Sequence, residues 1–490
     1  MPHAEGFALV VLLISTAGLV AVLSSRLTEW LRIPAPALVL VAAAVVVALA
    51  PGVGHPSARA VDELVTIALV YILFDGGMHI GVRRFRRAAG SIGAVGVLGT
   101  FLTTAGAALL LHLAFAVPWY PAVLVATAVA PTDPAIVFSV LGKREVAGRS
   151  STILEGESGA NDPVGIALMG ALLAAGGLTH DAARSVAGTF LLQMLVGGVV
   201  GWLGGRALVW FIRTVTLPTE SLYFLRTLVS VPILYGLVTL AHGSGFLAVF
   251  VAGIVAGDAR APYMREIRRF HGAVAGLSEI TAFVVLGLSV DLGALRHSDV
   301  LVPGLVLAVV LAVVIRPVAA GLCLRGSRLR RNEEGFVLFA GLKGAVPILL
   351  AEMLRAVDLA NAERWFAIVV VVVVFSVLVQ GSLTPVVARR LRLPMRTVVP
   401  EPWSVGVRLR DEPSGVHRLT VTSGSYADGR PLADLDLEAE DLWLSVVVRG
   451  RELVRVTGET VLRAGDELLV LADTDQRDAV ARLFEDPATR

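Results

Sequence analysis

Runs of about 18 or more apolar residues recur from the start of the chain to near residue 388. A run of that length crosses a bilayer as a helix, because a helix satisfies its own backbone polar groups where no water can. The sequence is 56% hydrophobic and 17% charged, too little charge for a soluble protein of 490 residues. A polytopic α-helical membrane protein is therefore expected. The single cysteine, Cys323, excludes an intrachain disulfide framework and a cysteine-based zinc site. No basic stretch precedes the first run, "FALVVLLISTAGLVAVLS", so it is expected to be a first span and not a cleaved signal peptide.

Apolar length and flanks give about 13 spans, near residues 7–24, 34–50, 62–81, 89–116, 120–141, 150–176, 186–212, 222–241, 245–257, 271–294, 299–323, 334–355 and 364–388. The connecting loops alternate in charge. One set carries Arg26 and Arg32, Arg83 to Arg87, Lys143, Arg144 and Arg149, Arg213, Arg260 to Arg269, Arg325 to Arg331, and Arg389 to Arg392. The other carries only Arg59, Arg184, Arg296, Arg355 and Arg364, with none in "AVPWYP" or "AHGSG", where His242 is expected to be solvated. Basic loops stay cytoplasmic. The N-terminus is thus expected outside and the C-terminus inside, which demands an odd number of spans.

Near residue 400 the composition changes. Pro394 and Pro400 punctuate a linker, followed by short alternating runs, "HRLTVTSGS", "WLSVVVRG", "ELVRVTG" and "DELLVLA", that predict strands, and by "TDQRDAVARLFED", which predicts an amphipathic helix. The expected domains are a membrane domain at 1–395, a linker at 396–412 and a small cytoplasmic α+β domain at 413–490.

An ionised side chain at membrane depth is costly, so each one present is a functional candidate. Asp133 lies in "APTDPA", where Pro131 and Pro134 bracket Thr132 and Asp133. Each proline removes an N–H and clashes with the preceding turn. The fifth span should break there, freeing carbonyls and helix ends that can bind ions. The sixth span brings Glu157, Ser158, Asn161 and Asp162 in "GESGANDP". A plain proline kink with neutralised acids is the alternative. The twelfth span is interrupted by Gly341, Gly344 and Pro347 around Lys343, which is expected to balance the crossing helix ends or else to snorkel to an interface. With 13 spans, an offset of seven reverses orientation, so spans one to six and eight to thirteen can form inverted repeats. The two breaks then occupy equivalent positions. Arg316, deep in the eleventh span, needs a partner; Glu157 is the candidate, backbone carbonyls the alternative. Asp75 in "LFDGG" and Glu279 in "LSEITAF" are secondary candidates, each with a capping or structural alternative.

The set "LFDGG", "APTDPA", "GESGANDP", "FVVLGLSVDL" and "GLKGAVPI" resembles monovalent cation:proton antiporters of the NhaP type, particularly their potassium/proton branch, over nearly all of 7–390. The resemblance implies an NhaA/NhaP-like fold and a homodimer with a mobile core in each protomer. It places the ion- and proton-carrying carboxylate at Asp162 and the broken-helix pair at Thr132 and Asp133. Glu157, preceding Ser158, becomes the partner of a buried arginine, which Arg316 fits. Lys343 stands where the family usually has arginine, so the charge is kept and the planar fork lost. Asn161, where a related group has a second aspartate, implies electroneutral one-for-one exchange. The tail, with "LRAGDELLVLA", resembles the C-terminal subdomain of RCK/TrkA potassium-transport regulators, which implies tail regulation, with a small ligand or with dimerisation alone.

The expected function is antiport: Asp162 holds either a proton or a desolvated potassium or sodium ion, with Asp133, Thr132, Ser158 and free carbonyls completing the oxygen shell. The partners expected are the lipid bilayer and a second copy, not nucleic acid, and no cofactor is expected. A tail-gated cation channel is the alternative, though no filter of the TVGYG sort is present. No nucleophile–base set argues for an enzyme.

Overall fold

The computed structural model describes residues 35–49, 56–141, 144–146, 149–327, 329–357, 359–393, 395–397, 416–435, 443–450, 452–471 and 483–485. The expected first span, Arg26, Arg32, Lys143, Arg328, most of the linker and most of the terminal helix lie outside these residues. The chain divides into two units, Met1–Pro402 and Trp403–Arg490.

The first unit is helical. Its elements are α1 (Ala35–Leu49), α2 (Ala58–Gly93), α3 (Gly99–Phe115), α4 (Trp119–Val129), α5 (Pro134–Leu141), α6 (Arg149–Ala175), α7 (His180–Thr214), α8 (Glu220–Leu240), α9 (Gly245–Gly257), α10 (Met264–Leu288), α11 (Ser298–Val310), α12 (Arg316–Cys323), α13 (Arg331–Phe339), α14 (Ala345–Arg355), α15 (Ala362–Phe375) and α16 (Gly381–Arg390). Among the described residues, seven stretches are long and apolar enough to cross a membrane: Ala58–Phe115, Trp119–Leu141, His180–Thr214, Ser221–Leu240, Met264–Leu288, Ser298–Cys323 and Ala362–Arg390. Leu38–Leu49 and Gly245–Gly257 are shorter apolar helices. Three five-residue π-helical turns join segments, at Ala94–Leu98, Leu311–Ile315 and Ser376–Gln380. Against α2 pack α9 and α10; α9 also packs on α7, and α10 on α1.

Boundaries depart from the sequence expectation at two basic stretches: Arg265, Arg268 and Arg269 lie inside α10, which starts at Met264, and the third span does not end in a loop. Arg83 to Arg87 do not occupy a loop. The chain turns at Gly81 alone, with φ 65° and ψ 164°, and helix resumes at once. Glycine is required there, because a side chain is strained at that φ and would also meet the Asp258 carboxylate. Asp258 accepts from the Arg83 N–H at 2.7 Å and so caps the new helix. The four arginines therefore lie on its first turns. His242 is exposed at a turn with φ 57°.

Two short strands were not legible in the sequence, since three residues cannot display alternation. These are β1 (Arg144–Val146), between α5 and α6, and β2 (Met395–Thr397), which follows α16. They pair antiparallel with Glu145 opposite Arg396.

The second unit contains β3 (Val416–Thr420), β4 (Trp443–Arg449), β5 (Glu452–Val454) and β6 (Glu467–Leu471) in an antiparallel sheet of order β3-β6-β4-β5. Each strand coincides with an alternating run of the sequence, β3 starting one residue before its run. Leu468 and Val470 of β6 face inward, joining Leu419, Val447, Leu462 and Phe484 in a small core. The Asp466 carboxylate is fully used, accepting from Arg449 Nε and Nη2, both at 2.8 Å, and from the Arg463 N–H at 2.9 Å.

Candidate ion-binding site

Two helix breaks meet inside the first unit. The helix that starts as α4 ends at Val129 and restarts as α5 at Pro134, leaving Ala130 to Asp133 unwound. Proline fits the first helical position because the N–H it lacks would have no partner there. The second helix ends as α13 at Phe339 and restarts as α14 at Ala345. The Asp133 N–H donates to the Leu342 carbonyl at 2.8 Å, tying one break to the other. Gly344 cannot be replaced without cost: a Cβ there would overlap the Asp133 carboxylate.

Broken helices free backbone groups that must find partners. Lys343, 1% exposed, supplies two bonds: its Nζ donates to the carbonyls of Ala130 at 3.0 Å and Pro131 at 3.1 Å. The lysine of the second break thus places its charge on the C-terminal end of the first half-helix, where the helix dipole is negative. Asp133 Oδ1 accepts from the Ala135 N–H at 2.8 Å, capping α5. Two residues missed in the sequence complete the crossing. Ser376 accepts from the Lys343 N–H at 2.9 Å and donates to Gln380 Oε1 at 3.1 Å, and Gln380 Nε2 donates to the Phe339 carbonyl at 2.6 Å. A polar pair four residues apart in a valine-rich run was the available signal.

From α6 come Glu157, Ser158, Asn161 and Asp162, which one helical turn brings to adjoining faces. Asn161 Nδ2 donates to Thr132 Oγ1 at 2.8 Å, and Thr132 Oγ1 donates to Glu157 Oε1 at 3.2 Å. The Thr132 N–H reaches Asn161 Oδ1 at 3.4 Å. Arg316 Nη2 lies 2.6 Å from Glu157 Oε1 and 2.7 Å from Oε2, with the side chains 3% and 1% exposed. The arginine Nε has no partner, so the contact is one-armed and not a fork on a fork. These residues form one network holding the unwound Thr132.

Asp162 stands beside that network. It is 7% exposed, and Ser158 Oγ donates to its Oδ2 at 3.4 Å. Asp133, Lys343 and Glu157 are all close enough for their charges to act on it. Two carboxylates, one ammonium and the ends of two half-helices thus converge on one buried locus. Glu279 approaches from α10, close enough to interact with Asp133, and its Oε1 is buried without a partner. Asp75 keeps different company: its Oδ2 lies 3.2 Å from His79 Nδ1 on α2. Among the described residues there is no group of three or more histidine, cysteine or acidic side chains able to hold a metal.

Residues 13–390 match the family model described as sodium/hydrogen exchanger, transmembrane. The chain belongs to the sodium/hydrogen exchanger family. Residues 416–485 match the TrkA-C domain. The chain is 36% identical over 334 residues to the K(+)/H(+) antiporter NhaP of Alkalimonas amylolytica, an alignment covering 67% of this chain and 57% of that protein. It is 30% identical over 428 residues to the K(+)/H(+) antiporter NhaP2 of Shewanella oneidensis, covering 85% of this chain and 73% of that one. The structure of the sodium proton antiporter MjNhaP1 from Methanocaldococcus jannaschii at pH 8 superposes with TM-score 0.65 and 21% identity, covering 78% of this chain and 100% of that one. This exchanger-family member is a multi-pass membrane transporter and not an enzyme, and its breaks lie inside the matched region.

Proposed function

We propose that the protein exchanges a monovalent cation, potassium or sodium, for a proton by competition at Asp162. The observation that carries this is the buried Asp162 carboxylate at the crossing of two broken helices, with Asp133 and Lys343 in electrostatic reach. A buried carboxylate is stable when it holds a proton or a cation and costly when bare. If only the two occupied forms cross, cation and proton movements are coupled. Ser158 Oγ, Asp133 and unwound carbonyls supply further oxygens for a hard cation. Thr132 and Asn161 act through the shape of the unwound segment, because their polar atoms bond each other and Glu157. The Glu157–Arg316 pair holds that network, and Lys343 balances the helix ends.

The finer reading has 13 spans in two inverted repeats, with the N-terminus outside and the tail inside, in a homodimer in the cytoplasmic membrane. Alternate basic loops support the orientation, and the two breaks at equivalent spans support the repeats. Asn161 beside Asp162 supports electroneutral exchange by resemblance. The two relatives named as K(+)/H(+) antiporters favour potassium. The TrkA-C match supports regulation by the tail.

Proton movement in everted vesicles on adding potassium, sodium and lithium tests this. Wild type should dissipate a pH gradient with potassium or sodium, and Asp162→Asn should not. Normal exchange by that variant would overturn the assignment. Current without coupled proton movement would favour a channel.

A further inference from the structure

The turn at Gly81 starts a helix that runs through the π-helical turn at Ala94–Leu98 to Phe115. About 20 residues cross the hydrocarbon. This helix is longer, and a guanidinium is costly at membrane depth, so its arginine-bearing first turns stand at the membrane surface. Those turns, Val82 to Gly93, read "VRRFRRAAGSIG" and contain no acid. At about 3.6 residues per turn they have two faces. Val82, Phe85, Ala88 and Ile92 share one, where Ala88 and Ile92 are buried and the other two half-buried. Arg83, Arg84, Arg86 and Arg87 share the other, and all four are exposed. The apolar face is locked in place: the Ile92 side chain fills the notch at Gly156 of α6, where a Cβ would overlap it. The helix therefore cannot roll to hide its arginines.

Such a face is unfavourable by itself. Arginines one turn apart repel each other. These also sit at the positive end of the helix dipole, where cations are disfavoured. Among the described residues, none of the four has a carboxylate partner. Asp258, the acid at the helix start, accepts from the Arg83 backbone N–H and not from a guanidinium. Arg149, exposed at the start of α6, adds a fifth cation: its Nη2 donates to the Arg87 carbonyl at 3.4 Å.

We infer that this face binds the phosphates of anionic phospholipids at the membrane surface, the cytoplasmic surface in the orientation proposed above. A guanidinium can pair with two phosphate oxygens at once. Four or more basic residues at the end of a membrane-crossing helix match an anionic headgroup layer. The place of the face at the end of a span favours lipid over a soluble anion, because the bilayer holds its headgroups at that depth. Headgroups bound there lie across one helix from Gly156, the neighbour of Glu157.

Photo-crosslinking of the full chain in phosphatidylcholine vesicles tests this. A trace of phosphatidylglycerol with a photoreactive headgroup is added, or the same amount of an equally photoreactive phosphatidylcholine, and crosslinked positions are located by mass spectrometry. The anionic probe should label residues 82–93 several-fold more than the zwitterionic one. At about 1 M salt, where the screening length is about 3 Å, that excess should vanish. Two variants, Arg83→Gln with Arg84→Gln and Arg86→Gln with Arg87→Gln, each keep two arginines on these turns for insertion. Each should lower the anionic yield there by at least about fivefold. Equal yields from the two probes, an excess that survives salt, or a yield indifferent to both variants would overturn the inference and leave the arginines as signals of topology alone. Symmetric vesicles make the result independent of orientation. Crosslinking needs no transport, so loss of the Asp162 assignment would leave it standing.

Discussion

Arg316 and Glu157 show what a buried charge demands of its neighbours. Each is nearly inaccessible to solvent, and each would be costly alone. Removing one partner leaves the other bare, so Arg316→Ala should destabilise the helical unit by about 3–5 kcal/mol, measured by thermal unfolding in detergent. A double change to neutral residues of similar size should cost less than either single change, because no charge is left unpaired. Lys343 has a different task, since its partners are carbonyls freed by a helix break. Lys343→Met should leave both without a donor, at about 1–3 kcal/mol each.

At the scale of the element, the crossing is a steric fit as much as an electrostatic one. The backbone of Gly344 passes against the Asp133 carboxylate with no room for a methyl group. Gly344→Ala should displace Asp133 and part the two breaks. Exchange should fall about a hundredfold, as displacements near 1 Å commonly cause, while membrane insertion continues. Vesicle exchange normalised to protein content would check this, and unchanged exchange would mean that the crossing has slack. Three of the helices that carry the site fall outside the seven apolar stretches. The 27-residue α6 is long enough but carries Arg149, Glu155, Glu157 and Asp162, and α13 and α14 are shortened by their break. Function is written into this fold as departures from apolar regularity.

Considered whole, the molecule has two units with separate cores. A chain ending at Pro402 should therefore still insert and exchange, with only its regulation altered; complete loss of exchange by folded, truncated protein would show that the tail is needed for transport itself. The second unit should also have its own acid limit. Burial pushes the Asp466 carboxyl up, but the Arg449 hydrogen bond and the backbone N–H of Arg463 outweigh it and hold the group below its usual range. A lowered folded value means that the contribution is complete above the unfolded value of about 3.9 and lost as pH falls through the folded one. Hydrogen exchange of β4 and β6 in the full chain should be steady from neutral pH to about 5 and accelerate only below about 4, after correction for intrinsic rates. An earlier loss would assign the acid limit to another group.

The sequence by itself determined the membrane class, the places where helices break and the change to a strand-rich tail. These are local matters: apolar run length sets a span, proline removes a backbone donor, and alternation marks a strand. What Pro131 and Gly344 could not announce is that their breaks touch. The donor and acceptor of the Lys343–Ala130 bond are 213 residues apart, and no local pattern encodes such a pairing. Nor could composition show that Gly81 turns the chain in one residue, or that Ser376 and Gln380 close the second break. Those outcomes belong to tertiary structure, since a buried polar atom's partner is decided by packing and by the cost of having none.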